Sequence, residues 1–320
     1  MLLDLVIAIV GIVLIMVGAD KLTDGSVALA RRFHVSELVI GLTIVAFGTS
    51  LPEFVVSLMS SINGVPAMSI GNVVGSNLFN TLMIVGFAAL VSPFVVGSST
   101  VYKDIPFSII ASIVLAALAL DTFWDSTTSA DLLSRADGII LLAFFAIFVS
   151  YSYSLATKGN GDDAVVEGGV ELPAWTVAVF MVLGLAGLVA GGELFVDGAS
   201  GVARELGVSE AVIGLTLAAG GTSLPELATS IVAARKGRSA MAIGNVIGSN
   251  LFNIFWILGF CATLMPMPVS GLTVMDFFVL FVASVLFWIV ARTSHRVSRL
   301  EGAFLIACYV AYIAWLILSL

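Results

Sequence analysis

The chain has 320 residues, of which 60% are apolar and 11% charged, with a formal net charge of −8. Soluble domains run at about 45–50% apolar and about 25% charged, so this composition excludes a soluble enzyme, and without a basic tract it excludes a nucleic-acid binder. The only cysteines, Cys261 and Cys308, lie inside apolar runs; they exclude a disulfide scaffold and read as small buried hydrophobes.

A helix crossing the hydrocarbon core takes about 20 apolar residues, and the apolar runs predict ten such spans in chain order, at roughly 3–30, 36–62, 67–91, 105–120, 138–156, 174–200, 209–234, 239–265, 273–292 and 302–319. The expected fold is therefore an all-α polytopic membrane protein with short loops. Met1-Leu2-Leu3-Asp4 carries an acid where a signal peptide has a basic region, so the first span is read as a permanent helix. Residues 157–172, rich in Gly, Asp and Glu, read as a flexible linker.

A shift of 173 residues lays Ser36–Asn80 on Ser209–Asn253 without a gap, and 28 of those 45 positions are identical. Gly18-Ala19-Asp20 likewise falls on Gly191-Gly192-Glu193, and Asp24-Gly25 on Asp197-Gly198. The chain thus divides into a first five-helix repeat, 1–156, the linker 157–172, and a second five-helix repeat, 173–320. An odd number of crossings makes the second repeat enter from the opposite side, so the repeats are expected to be inverted. Loop charge tests this independently. One side holds Arg31, Arg32, Lys103, Lys158, Arg235, Lys236, Arg238, Arg292, Arg296 and Arg299, whereas the other holds Arg135 and Arg204 beside Asp121, Asp125, Asp131 and Asp137. By the excess of basic residues in cytoplasmic loops, both termini are expected outside the cell membrane and the 157–172 linker in the cytoplasm.

Chemistry concentrates in two matched stretches. Gly48-Thr49-Ser50-Leu51-Pro52-Glu53 and Gly221-Thr222-Ser223-Leu224-Pro225-Glu226 each fall near the middle of an apolar span. An ionised carboxylate there is unfavourable unless it is paired or lines a wet cavity. Pro52 and Pro225 lack an N–H and clash with the carbonyls of Gly48 and Gly221, which frees oxygens one turn from each glutamate. The hydroxyls of Thr49, Ser50, Thr222 and Ser223 complete an all-oxygen set suited to a hard cation such as Ca²⁺, which takes about 6–8 oxygens. The bland reading is a proline-kinked helix whose Ser and Thr bond back to the freed carbonyls.

The third and eighth spans open with Gly71-Asn72-Val73-Val74-Gly75-Ser76-Asn77-Leu78-Phe79-Asn80 and its match, Gly244 to Asn253. Gly71 with Gly75, and Gly244 with Gly248, have the spacing that lets helix backbones approach closely. Ser76 and Asn80 share a helix face, as do Ser249 and Asn253; they read as neutral oxygens for a cation between helices or as interhelical hydrogen bonds. Asp20 and Glu193 are matched acids that read as vestibule charges or as helix-end residues. His34 and His295 lie beside basic loop residues without a second ligand nearby. Nothing matches H-E-x-x-H, G-x-S-x-G or a phosphate-binding loop, so no enzyme and no cofactor is expected.

The two stretches resemble the paired α-repeats of the sodium/calcium exchanger family, within the calcium/cation antiporters, and most resemble its bacterial and archaeal members. The resemblance spans essentially the whole chain, with α-repeats at 36–80 and 209–253. It implies an inverted-repeat antiporter with sites between spans 2, 3, 7 and 8, across which spans 1 and 6 slide to alternate access. Carried over by position, Glu53 and Glu226 would be the Ca²⁺ carboxylates, joined by the carbonyls of Thr49 and Thr222. Ala46, Ser50, Ser76, Ala219, Ser223 and Ser249 would supply oxygens to Na⁺, with Asn80 and Asn253 facing the centre.

Two departures stand out. Some matched exchangers carry Asp at the position of Asn253, and Ala219-Gly220-Gly221 replaces the Ala46-Phe47-Gly48 of the first repeat. The glutamates then leave a formal −2, which one Ca²⁺ or two Na⁺ would neutralise. The expected partners are Ca²⁺, Na⁺ and the lipid bilayer, and the expected activity is Ca²⁺ extrusion driven by inward Na⁺. The same carboxylates leave Ca²⁺/H⁺ exchange open, and behind it a cation channel and an intramembrane acid/base enzyme.

Overall fold

The computed structural model describes residues 1–125, 127–158, 172–207, 213 and 219–319. Nearly all of them are helical: α1 (Leu2–Phe33), α2 (Glu37–Thr49), α3 (Leu51–Ile62), α4 (Pro66–Val91), α5 (Thr100–Ala119), α6 (Arg135–Thr157), α7 (Ala174–Glu205), α8 (Leu224–Arg235), α9 (Ser239–Leu264), α10 (Val274–Ser294) and α11 (Arg299–Leu318). Among the described residues eight helices are long and apolar enough to cross a membrane, and α2 with α3, bent by 45°, makes a ninth when the pair counts as one span. The expected seventh span, 209–234, begins on 209–212 and 214–218, which lie outside the described residues, as does most of the expected linker, 159–171. The fourth span starts earlier than expected, because a π-helical turn, Thr100–Asp104, precedes the regular helix and takes Lys103 into it.

Several helix starts are written into the local sequence. Ser36 Oγ accepts the Val39 N–H at 3.3 Å. Ser134 with Asp137, Thr273 with Asp276 and Ser298 with Glu301 exchange side-chain and backbone hydrogen bonds across the first turn, which satisfies N–H groups that have no partner inside the helix. Both histidines close helices in the left-handed conformation, His34 after α1 with φ 54° and His295 after α10 with φ 49°.

The longest contact runs between α1 and α7. A Cβ added to Gly11 would lie 2.5 Å from Phe195 N, one on Gly18 2.7 Å from the Gly184 carbonyl, and one on Gly191 2.7 Å from Ile15 N. Partner numbers fall in α7 as they rise in α1, so the two helices run antiparallel with their backbones touching. α9 packs along α2 with equally close backbones but runs parallel to it, with the Leu38 carbonyl 2.7 Å from a Cβ on Gly244 and the Leu42 carbonyl 2.5 Å from one on Gly248. The close packing expected at Gly244 and Gly248 is therefore present. For Gly71 and Gly75 no described atom lies within 4 Å of such a Cβ, and most of the segment matching α2, 210–212 and 214–218, lies outside the described residues.

Around this centre α6 lies on α9, α11 on α4, and α5 pairs with α10. Short strands tie loops of one half to loops of the other: β1 (Phe94–Val95) pairs with β4 (Arg296–Val297), and β2 (Leu132–Leu133) pairs with β3 (Met267–Pro268). On the outer face of α1, Leu5, Ile9, Val13 and Val17 form an exposed apolar stripe one helical turn apart, a surface suited to hydrocarbon and not to water.

Candidate cation site

The helix breaks put both glutamates at the centre. α2 ends at Thr49 and α3 begins at Leu51, with Ser50 between them at φ −83°, ψ 6°. Its match, Ser223, sits at φ −91°, ψ 5°, between the short turn Ala219–Gly221 and α8. In each case proline occupies the second position of the new helix, where a missing N–H leaves no gap in the ladder. Glu53 and Glu226 follow in the first turns of α3 and α8, and both are 0% exposed.

The serines at the breaks act across the halves. Ser223 Oγ donates to Glu53 Oε1 at 2.9 Å, and Ser50 Oγ donates to Glu226 Oε1 at 2.9 Å. Ser76 Oγ lies 3.3 Å from Glu53 Oε1 and 2.8 Å from Ser223 Oγ. Each carboxylate keeps its other oxygen, Oε2, buried without a hydrogen-bond partner. Among the described residues no basic side chain pairs with either glutamate. Buried anions left this way call for a cation.

Asn80 and Asn253 bring neutral oxygens to the same place. Each lies in a π-helical stretch, Phe79–Ile84 and Phe252–Leu258, that interrupts α4 and α9. Such stretches widen a helix turn by one residue and are frequent at functional sites. Asn80 Nδ2 donates to Asn250 Oδ1 at 3.1 Å, and Asn253 Nδ2 donates to Asn77 Oδ1 at 2.9 Å and Ser76 Oγ at 3.2 Å. With their NH₂ groups engaged, both amides turn an unpartnered, buried Oδ1 the other way. Asn77 and Asn250 do this orienting.

The remaining predicted residues take varied places. Ser249 is buried in α9. Thr49 Oγ1 lies 3.0 Å from the Val45 carbonyl and 3.1 Å from Asn245 Oδ1, so its hydroxyl is engaged and its carbonyl is the atom left to offer. The Ala46 carbonyl accepts the Ser50 N–H at 3.0 Å. Thr222 lines a cavity described next, and the Ala219 side chain lies outside the described residues. Sequence reasoning missed a brace: Asn72 Nδ2 donates to Ser57 Oγ at 3.1 Å and Asn245 Nδ2 donates to Ser230 Oγ at 3.0 Å, each also reaching the backbone carbonyl of its glutamate at 3.4 Å. The matched spacing of these Asn and Ser was visible, but not that they meet.

A cavity of about 690 Å³, lined by Pro52, Val55, Glu193, Asp197, Thr222 and Pro225 among others, opens on the face that carries the N-terminus. Positions 173 residues apart differ accordingly: Val55 is 56% exposed and Ala228 is 7%, while Thr23 and Thr229, the counterparts of the cavity residues Val196 and Val56, are 0% exposed. On that opposite face α1 packs on α8 and buries Leu22, Ala30 and Val232 with Ala228.

Only oxygen donors converge here, with no thiol or imidazole, which favours hard cations over transition metals. The sequence profile of the family described as sodium/calcium exchanger protein matches residues 3–154 and 176–318. Inner membrane protein YrbG of Escherichia coli is 36% identical, over 99% of this chain and 97% of its own. Sodium/calcium exchanger MaX1 of Methanosarcina acetivorans is 32% identical over 97% of both chains. The solved structure of the sodium-calcium exchanger NCX_Mj soaked with zero Na⁺ and Ca²⁺ matches with a TM-score of 0.83 at 34% identity, covering 98% of this chain and 99% of that one. The chain is an integral membrane protein and belongs to the sodium/calcium exchanger family.

Proposed function

We propose that the protein is a secondary antiporter that exchanges Ca²⁺ for Na⁺ by alternating access and extrudes Ca²⁺ as Na⁺ runs inward. The observation that carries this reading is the pair of buried carboxylates, Glu53 and Glu226, each held by a serine of the other half and each with an oxygen free. Their formal −2 is neutralised by one Ca²⁺ or by two Na⁺, so the two ions displace one another.

Glu53 and Glu226 with the carbonyls of Thr49 and Thr222 are the proposed Ca²⁺ ligands. Ser50, Ser76, Ser223 and Ser249 with the carbonyls of Ala46 and Ala219 are the proposed Na⁺ ligands, and Asn80 and Asn253 face the central position. The proposed architecture is ten spans in two inverted five-helix repeats, 1–156 and 173–320. The antiparallel α1–α7 contact, between helices 173 residues apart, supports inversion. With both termini outside and the 157–172 linker cytoplasmic, as the loop charges favour, the cavity faces outward and the α1–α8 seam inward. Movement of α1 and α7 across the site then exchanges the two arrangements.

The test is ⁴⁵Ca²⁺ flux into proteoliposomes, driven separately by a Na⁺ gradient and by a pH gradient at clamped voltage. Na⁺-driven, saturable flux is expected. Flux driven by pH alone replaces Na⁺ with protons on the same carboxylates, and flux without either counter-ion contradicts exchange. Ser50→Ala and Ser223→Ala each remove a hydroxyl that binds a carboxylate and that is a proposed Na⁺ ligand. A hydrogen bond to a charged group contributes about 1.5–3 kcal/mol, so the Na⁺ concentration for half-maximal exchange is expected to rise about tenfold, equivalent to about 1.4 kcal/mol. Ca²⁺, held chiefly by the carboxylates, should change less in the same assay.

A further inference from the structure

Asp20 and Asp24 of α1 are the counterparts, 173 residues earlier, of Glu193 and Asp197 of α7. On the N-terminal face Glu193 and Asp197 are exposed and line the cavity. On the opposite face Lys236, just past the end of α8, reaches across to α1. Its Nζ lies 2.7 Å from Asp20 Oδ1 and 2.6 Å from Asp24 Oδ1, and it donates to the Asp20 carbonyl at 3.2 Å. Lys21 adds a looser contact to Asp20 at 3.9 Å, with its ammonium 5.0 Å above the Phe180 ring. Partial burial works against the Lys236 charge, but the two carboxylates outweigh it and hold its pKa above the ordinary lysine value.

Among the described residues the other face shows no equivalent of this bridge. The counterpart of Lys236 is Asn63, which carries no charge to offer Glu193 and Asp197. The bridge also lies over the seam where α1 and α8 bury Leu22, Ala30, Ala228 and Val232. One face therefore has a packed seam with a cation tying it shut, and the other has a cavity with its carboxylates exposed.

We propose that Lys236 is a positioning residue of the exchange cycle: it latches α1 to the end of α8 through Asp20 and Asp24 and biases the ion-free protein toward the arrangement closed on that face. The proposal rests on the alternating-access reading above. Single bridges between partly exposed groups are weak, yet this one engages two carboxylates of a 32-residue helix. It therefore shifts a two-state equilibrium about three- to tenfold.

The test is the labelling rate of single cysteines by a membrane-impermeant maleimide, in ion-free proteoliposomes and in a chain with Cys261 and Cys308 replaced by alanine. Thr23→Cys reports the latched face and Val55→Cys the cavity. Lys236→Met is expected to raise labelling at position 23 about three- to tenfold and to lower it at position 55, whereas Lys236→Arg keeps the parent rates. Asn63→Lys, which supplies an ammonium opposite Glu193 and Asp197, is expected to slow labelling at position 55. Labelling unmoved by Lys236→Met and Asn63→Lys, in protein that still exchanges Ca²⁺, overturns the latch alone. Loss of any Na⁺- or pH-driven Ca²⁺ flux in the parent protein overturns the exchange reading instead.

Discussion

Glu53→Gln and Glu226→Gln are each expected to lower Na⁺-driven Ca²⁺ flux by two to three orders of magnitude while raising the thermal stability of the ion-free protein. The opposite signs come from one cause. Each carboxylate is fully buried, accepts hydroxyl hydrogen bonds on Oε1 and keeps an unpartnered Oε2. With an ion present, removing one partner of a buried charge pair costs about 3–5 kcal/mol, which at about 1.4 kcal/mol per decade gives the expected loss. Without an ion, the same carboxylate is a buried charge facing another buried carboxylate, and a neutral amide of the same shape relieves it. Thermal unfolding in detergent separates the two effects. The parent protein should gain stability on adding Ca²⁺, by about 2.7 kcal/mol at a hundredfold excess over Kd. Both variants should start higher and gain little. A variant that loses flux and also starts lower would indicate a structural role for the glutamate.

Gly191→Val is expected to be the most damaging substitution outside the site. Its Cβ would lie 2.7 Å from Ile15 N and 2.8 Å from the Gly11 carbonyl, backbone atoms that no rotamer change can move. Overpacking a filled contact costs about 1–3 kcal/mol when side chains can give way, and here whole helices must separate, so about 3 kcal/mol or more is expected. Because α1 and α7 are the helices proposed to move together, exchange should fall even in the fraction that folds. Val13→Leu on the lipid-facing stripe of α1, where Val13 is 55% exposed, is the matched control and should leave melting temperature and flux unchanged. Equal melting of the two variants would contradict the backbone contact.

Much of the site was legible in the sequence because its residues are short-range words repeated at a fixed offset. Glu53 and Glu226 stood out as charges in apolar spans, and their proline and serine neighbours marked the helix breaks that the structure contains at Ser50 and Ser223. What was not legible depends on how separate helices meet. The serine of one half serves the glutamate of the other, a pairing that only the close approach of the two breaks creates. The π-helical turns that carry Asn80 and Asn253 insert one residue into a helix without changing its apolar character, so periodicity does not register them. Asp20 and Glu193 read alike as matched acids, yet one is bridged by Lys236 and the other lines an open cavity. The matched acids themselves carry no mark of which copy is bridged; that difference depends on Lys236, whose counterpart is Asn63, and on how α8 meets α1.

The central claim is that Glu53 and Glu226 make one site that Ca²⁺ and Na⁺ occupy in turn, and equilibrium binding of ⁴⁵Ca²⁺ to the purified protein across a Na⁺ titration tests it most directly. One Ca²⁺ per chain is expected, displaced completely and competitively by Na⁺, and absent from the Glu53→Gln, Glu226→Gln double variant. Ca²⁺ that stays bound at saturating Na⁺, or that binds the double variant as it binds the parent, would contradict it.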